Sequence, residues 1–197
     1  MPAPLVFLLS PASCAGVRAQ LLLKSKTSPL TAQLAGDGAP LGDVFSFMSS
    51  LYFRGKLAYA TRFGRALVIA PGRGLLPAEV RIRVADLRAM AEVPVDEHEP
   101  RYRVPLLRDA AALDRDLGGT GGVVLLGSVA TEKYVGPLTE VFGDRLLFPA
   151  AFVGRGDMSR GGLLLRCARL GTPLDCMPVR GAVRNGQRPP KLEKLRA

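Results

Sequence analysis

The sequence predicts an α/β fold, a three-layer sandwich around a mostly parallel central sheet of four or five strands. Three observations lead there. Short apolar runs recur at residues 4–9, 66–70, 123–126 and 145–148, and strands of a parallel sheet, buried on both faces, read as near-continuous hydrophobic runs. Stretches with helical spacing separate them, the pattern of βαβ units. A turn rich in glycine, serine or proline follows each run, as where a strand hands over to a helix.

Taken in order, residues 4–9 form a buried strand closed by Ser10-Pro11. Ser13 is positioned to cap a helix running to Leu23, and Pro29 interrupts it. Asp43 can cap a single helix over 44–63, whose apolar positions 44, 47, 48, 51, 52, 58 and 59 follow helical periodicity. Gly55 interrupts that pattern, as a close helix contact would require, and Gly64 ends it. Residues 66–70 make the second strand, and the proline- and glycine-rich residues 71–77 read as loop. Residues 81–84 alternate like a strand and 85–90 suit a short helix, before an exposed loop at 93–100. Residues 104–117 form an amphipathic helix with Pro105 in its first turn. The glycines at 118–122 lead into the third strand, and 129–142 is a helix limited by Pro137. The fourth strand, 145–148, precedes a loop and a helix over 159–170, and 174–179 can add a last strand. Residues 1–179 therefore read as a single domain, and 180–197 as a basic, largely irregular tail.

The composition narrows the partners. Net charge is +10, with +5 over residues 1–70, −2 over 71–154 and +7 over 155–197. Basic ends around a slightly acidic middle attract polyanions, so nucleic acid is the expected partner; Arg54, Lys56, Arg180, Arg184 and Arg188 are the expected nucleic-acid surface. A genome that favours arginine codons would give the same pI without that meaning. No apolar run is long enough to span a membrane, and the first residues lack the pattern of a secretory signal. Three cysteines without CxxC spacing fit a reduced, cytoplasmic setting. With one histidine, His98, no zinc site is expected, no cofactor is implied, and a histidine-dependent triad would have to rest on His98.

Ligands of such folds bind at the carboxyl ends of the strands, so the strand-end loops are the candidate site. Its residues are Ser13 in the first loop, Gly72, Arg73 and Gly74 in the second, Gly127 and Ser128 in the third, and Gly154, Arg155, Gly156, Ser159 and Arg160 in the fourth. Small residues allow close backbone approach, and helix N-termini behind such loops favour anions. The same residue types also merely turn a chain and cap helices. Gly154 and Gly156 do not continue into a G-x-G-x-x-G spacing, and no phosphate-loop motif occurs. Asp157 is either the N-cap of the last helix or a carboxylate orienting Arg155 or Arg160. Cys14, near a helix start, is a weak nucleophile candidate without a base, and otherwise a packed residue. Tyr52 and Tyr59, seven residues apart, fit either a core stripe or an aromatic nucleic-acid surface.

Two local patterns carry a resemblance. One is Ser50-Leu51-Tyr52-Phe53-Arg54 with Lys56, Tyr59 and Ala60, then Gly74-Leu75-Leu76-Pro77; the other is Val123-Val124-Leu125-Leu126-Gly127, then Tyr134, Pro149 and Gly154. Over roughly residues 46–166 the chain resembles an uncharacterised bacterial α/β family related to YaaA-type peroxide-stress proteins and the archaeosine-synthase accessory domain. The layout is also similar to that of uracil-DNA glycosylases, although the first loop lacks their water-activating aspartate and no His-Pro-Ser loop is present. The expected function is binding of a phosphate- or nucleobase-containing ligand, with action on a base or glycosidic bond within its scope. An enzyme on a small nucleotide or phosphorylated substrate, and a non-enzymatic partner-binding protein using the basic tail, are the alternatives.

Overall fold

The computed structural model describes residues 5–25, 27–190 and 192. Strand β1 (Val6–Leu9) is buried along its whole length. It lies between β3 (Arg65–Ala70) and β6 (Val123–Leu126), parallel to both, with Val6 opposite Arg65 on one side and Val123 on the other. β7 (Leu146–Pro149) continues the parallel run beside β6. β4 (Gly74–Pro77) and β8 (Cys176–Pro178) close the edges antiparallel to β3 and β7. The sheet order is β4-β3-β1-β6-β7-β8. The sheet therefore has six strands, not the expected four or five. β4 was hidden in the 71–77 loop because it has only two apolar residues between Gly74 and Pro77. The alternating segment at 81–84 contributes only β5 (Arg81–Ile82), paired with β2 (Ala39–Pro40) in a separate two-stranded sheet.

The helices are α1 (Val17–Lys24), α2 (Pro29–Ala35), α3 (Leu41–Ser49), α4 (Leu51–Phe63), α5 (Val84–Ala91), α6 (Pro100–Asp116), α7 (Glu132–Phe142) and α8 (Asp157–Leu170). α4 packs on β1, β3 and α8, while α6 packs on β4 and α7. The chain passes from β1 to β3 on one side and then back past β1 to β6 on the other, and because crossovers between parallel strands are right-handed, these two groups fall on opposite faces.

The single helix expected over 44–63 is two. Ser50, with φ 52° and ψ −124°, breaks it; serine carries a Cβ that disfavours this region, a cost of about 1–3 kcal/mol that its surroundings must supply. α6 starts four residues earlier than its periodicity suggested, because Pro100 occupies its first turn and the Glu99 side chain accepts from the Arg101 amide. Pro105 thus sits inside the helix. Residues 182–190 carry no helix or strand, yet they fold back on the body. Arg180 pairs with Asp144, Arg184 with Glu132, and the Pro190 carbonyl accepts from Arg155. The rest of the basic tail, 191 and 193–197, lies outside the described residues.

One contact fixes the β3–β4 hairpin to α6. The Leu75 amide donates to Asp109 Oδ2 at 2.9 Å, and Gly74, at φ +84°, leaves room for that carboxylate. A Cβ there would stand 2.0 Å from Oδ2 and 2.6 Å from the Pro105 carbonyl. Gly74→Ala is expected to lose about 2–3 kcal/mol through the left-handed φ and the displaced acid. A lowered urea midpoint with unchanged m checks it; an unchanged midpoint would show that the hairpin tolerates the displacement.

Candidate functional site

The sheet order reverses at β1, since the chain passes from β1 to β3 on one side and later to β6 on the other. A crevice is expected at the carboxyl ends beside such a switch point, and one of about 510 Å³ lies there. Its walls include the first loop (residues 10–15), Pro71 after β3, Ser128 after β6, Tyr52 and Lys56 of α4, Lys133 and Tyr134 of α7, and Asp157 of α8. Three of the four strand-end loops, and the first residue of the helix behind the fourth, meet in one place.

Lys56 forms part of this wall although it is only 1% exposed. Its Nζ donates to the Ser10 carbonyl at 2.6 Å and to Ser10 Oγ at 2.9 Å, and lies 4.4 Å from the centre of the Tyr52 ring and 4.9 Å from that of Phe53. Expectation placed Lys56 on a nucleic-acid surface; the structure corrects this. The break at Ser50 re-phases the helix so that Tyr52, Phe53, Lys56, Tyr59 and Ala60 share its buried side. The i, i+4, i+7 spacing of Tyr52, Lys56 and Tyr59 already carried that signal. Burial strips water from the ammonium and lowers its pKa from 10.5 to about 7, with the Asp157 carboxylate partly opposing.

Ser10 is held by its own backbone, its amide donating to the Leu126 carbonyl at 3.1 Å. Gly127 permits this, because a Cβ there would stand 2.9 Å from the Ser10 Cβ. The Tyr52 hydroxyl is buried and closes no hydrogen bond. Burial raises its pKa, and the nearby Arg160 guanidinium, outside hydrogen-bond geometry, offsets this only in part. Burial also raises the pKa of Tyr134, while its interaction with Ser10 lowers it. Both phenols therefore stay protonated at neutral pH.

The remaining candidates fall into distinct groups. Ser13, Cys14, Ser128 and Asp157 line the crevice. Burial pushes the Cys14 thiol up to about 12, so it is not a thiolate, and Sγ faces the Ala12 carbonyl at 3.6 Å. Asp157 is not the cap of α8: Gly156 occupies that position, and Asp157 follows as the first helical residue, its side chain 69% exposed. Arg160 is buried with Nε and Nη2 donating to the Phe152 carbonyl at 3.3 and 3.1 Å. Arg155 donates to the Ala151 carbonyl, Ser159 Oγ and the Pro190 carbonyl. Gly154, at φ +70°, faces the Gln187 carbonyl, which would stand 2.0 Å from an added Cβ. The charged loop at 154–160 is thus tied to its own helix and to the returning tail, and only Asp157 from it lines the crevice.

Gly72 and Arg73 line a second groove of about 600 Å³ with Arg101, Val104 and Arg108, and the two hollows share Pro71, Met90 and Val93. Arg73, Arg101 and Arg108 pair with Asp86, Glu99 and Asp109, while their side chains stay 42%, 59% and 66% exposed. Arg54 and Arg188 are exposed. Arg180 and Arg184 line a hollow of about 370 Å³ beside α7. His98 is exposed, its Nε2 3.8 Å from a Glu97 oxygen. Among the described residues no helix is long and apolar enough to cross a membrane, and no cluster of three or more acidic, histidine or cysteine side chains could hold a metal. The chain matches no family model, no curated protein and no solved structure.

Proposed function

We propose that the crevice at the switch point receives one nucleobase- or phosphate-bearing unit of a nucleic acid, with neighbouring phosphates of the strand running along the arginine-lined groove. The observation that carries this reading is the shared wall of Pro71, Met90 and Val93 between a polar crevice and a groove bearing Arg73, Arg101 and Arg108. A guanidinium has five N–H donors, so an arginine paired with its own acid retains donors for phosphate. The net charge of +10 supports the same partner through long-range attraction. A second reading, an enzyme on a free nucleotide or phosphorylated small molecule, is favoured by the crevice volume of about 510 Å³, which falls within the usual size of small-ligand pockets.

The test is binding of single-stranded DNA and RNA oligonucleotides and of mononucleotides at two salt concentrations. For the strand reading, oligonucleotide affinity falls steeply with salt, and replacing Arg73 and Arg101 by alanine reduces the salt slope by about 2. For the free-nucleotide reading, mononucleotides raise Tm by mass action and the arginine replacements leave that shift intact. If neither class binds, both readings fall.

A further inference from the structure

We propose that Lys56 is a nucleophile that forms an imine with the aldehyde or ketone carbon of a phosphorylated sugar held in the crevice; this rests on the ligand class just proposed. The geometry supplies what such a step needs. Lys56 lines a ligand-sized crevice, and the two hydrogen bonds of Nζ, to the Ser10 carbonyl and to Ser10 Oγ, match the two hydrogens of a neutral amine. A neutral amine so held keeps its lone pair for a ligand. Tyr52 lines the same crevice, and its hydroxyl, buried without a partner, is a donor without an acceptor. A carbonyl oxygen fits that need.

The charges around Nζ come from every element packed against it. α4 supplies Tyr52, α7 supplies Lys133 and Tyr134, α8 supplies Asp157 and Arg160, and the first loop supplies Cys14. Two cations outnumber the one carboxylate, Asp157, which opposes the burial of Lys56 only in part, and burial brings its pKa to about 7. The neutral form is therefore available at physiological pH, whereas an ordinary lysine is protonated there in all but about one molecule in a thousand or fewer.

The step balances without an oxidant or reductant. The Nζ lone pair adds to the carbonyl carbon while the C=O π pair moves to oxygen, which takes a proton from the Tyr52 hydroxyl. The nitrogen gives up one proton, which restores Tyr52. The carbinolamine hydroxyl then leaves with the second nitrogen proton as water, and the C=N bond forms. Lys133, at the crevice wall, is placed to meet the sugar phosphate. The same aldehyde arises in two sources, a free aldose phosphate and an abasic site in a strand.

The test exposes the full chain to ribose 5-phosphate, or to an oligonucleotide carrying one abasic site, with cyanoborohydride to reduce an imine to a stable amine. Intact-mass and peptide mass spectrometry locate the adduct. At pH 7 the adduct is expected on Lys56 at least about tenfold ahead of exposed Lys24, because of the larger neutral fraction. Its rate should rise with pH to a plateau with a midpoint near 7. Tyr52→Phe keeps the amine and is expected to slow the adduct severalfold without moving that midpoint; Lys56→Met abolishes it. Which substrate reacts distinguishes free sugar from strand. Adducts spread over surface lysines, or equal yield in Lys56→Met, would overturn the proposal, as would binding of either ligand with no adduct on Lys56. Absence of any binding would instead strike at the ligand class beneath it.

Discussion

Gly161→Ala is expected to lower Tm by roughly 2–8 °C, while Gly162→Ala, one residue along the same helix, leaves it unchanged or raises it. α4 and α8 touch through backbone at Gly55 and Gly161. A Cβ on Gly161 would stand 2.7 Å from the Leu51 carbonyl and 2.8 Å from the Tyr52 Cα, and one on Gly55 would stand 2.5 Å from the Gly161 carbonyl. Backbone on both sides leaves no flexible side chain to swing away. The helices must separate, at an overpacking cost of about 1–3 kcal/mol or more, against the roughly 1 kcal/mol that alanine gains over glycine in a helix interior. Gly162 has no such neighbour; its added Cβ would meet only Leu192 Cδ1, at 3.7 Å, an ordinary contact. Separation would also displace Tyr52 and, one turn on, Lys56, so ligand binding should fall with stability. A Gly161→Ala protein melting at or above the parent would show that the two helices are not in backbone contact.

That contact also marks how far the sequence could be read. The parallel strands were legible because a strand buried on both faces must be apolar throughout, and β1 and β6 are. The helix-packing role of Gly55 was legible as an interruption of an apolar pattern, but its partner, Gly161, was not, since the pair is separated by 106 positions. The edge strand β4 and the break at Ser50 carry no sequence signal of their own; each exists because a neighbour imposes it.

The candidate site was legible by position and misread by charge. The strand-end rule led to Ser13, Ser128 and Asp157, which do line the crevice. Arginine content points to Arg155 and Arg160, but their guanidiniums donate to carbonyls of their own loop and tail and neither lines the crevice. As one of the basic residues that attract a polyanion, Lys56 is expected on the surface. Its helical phase, shared with Tyr52 and Tyr59, argued the opposite, and only the long-range contact with Ser10 explains how the burial is tolerated.

Buried Lys56 should give this protein a stability that climbs with pH from about 7 to 9, by about 2 kcal/mol, and Lys56→Met should remove the climb. In the folded chain burial lowers the Lys56 pKa from 10.5 to about 7. Between those values the unfolded chain binds one proton more than the native chain, so raising the pH favours the native state; below about 7 both are protonated and the penalty is constant. Above pH 9 the sign reverses. Burial raises Cys14 from 9.0 to about 12 and Cys176, beside Asp175, from 9.0 to about 11, so the unfolded chain loses these protons first and stability declines. Tyr59, raised by burial from 10.0 to about 12, adds to the decline at higher pH. The curve should peak near pH 9. Urea midpoints at pH 6, 7, 8 and 9 separate the contributions, because methionine keeps the length of the side chain without its proton. Parallel curves for the two proteins would mean that Lys56 stays charged in the fold, and with it the amine needed for imine chemistry at neutral pH would be lost.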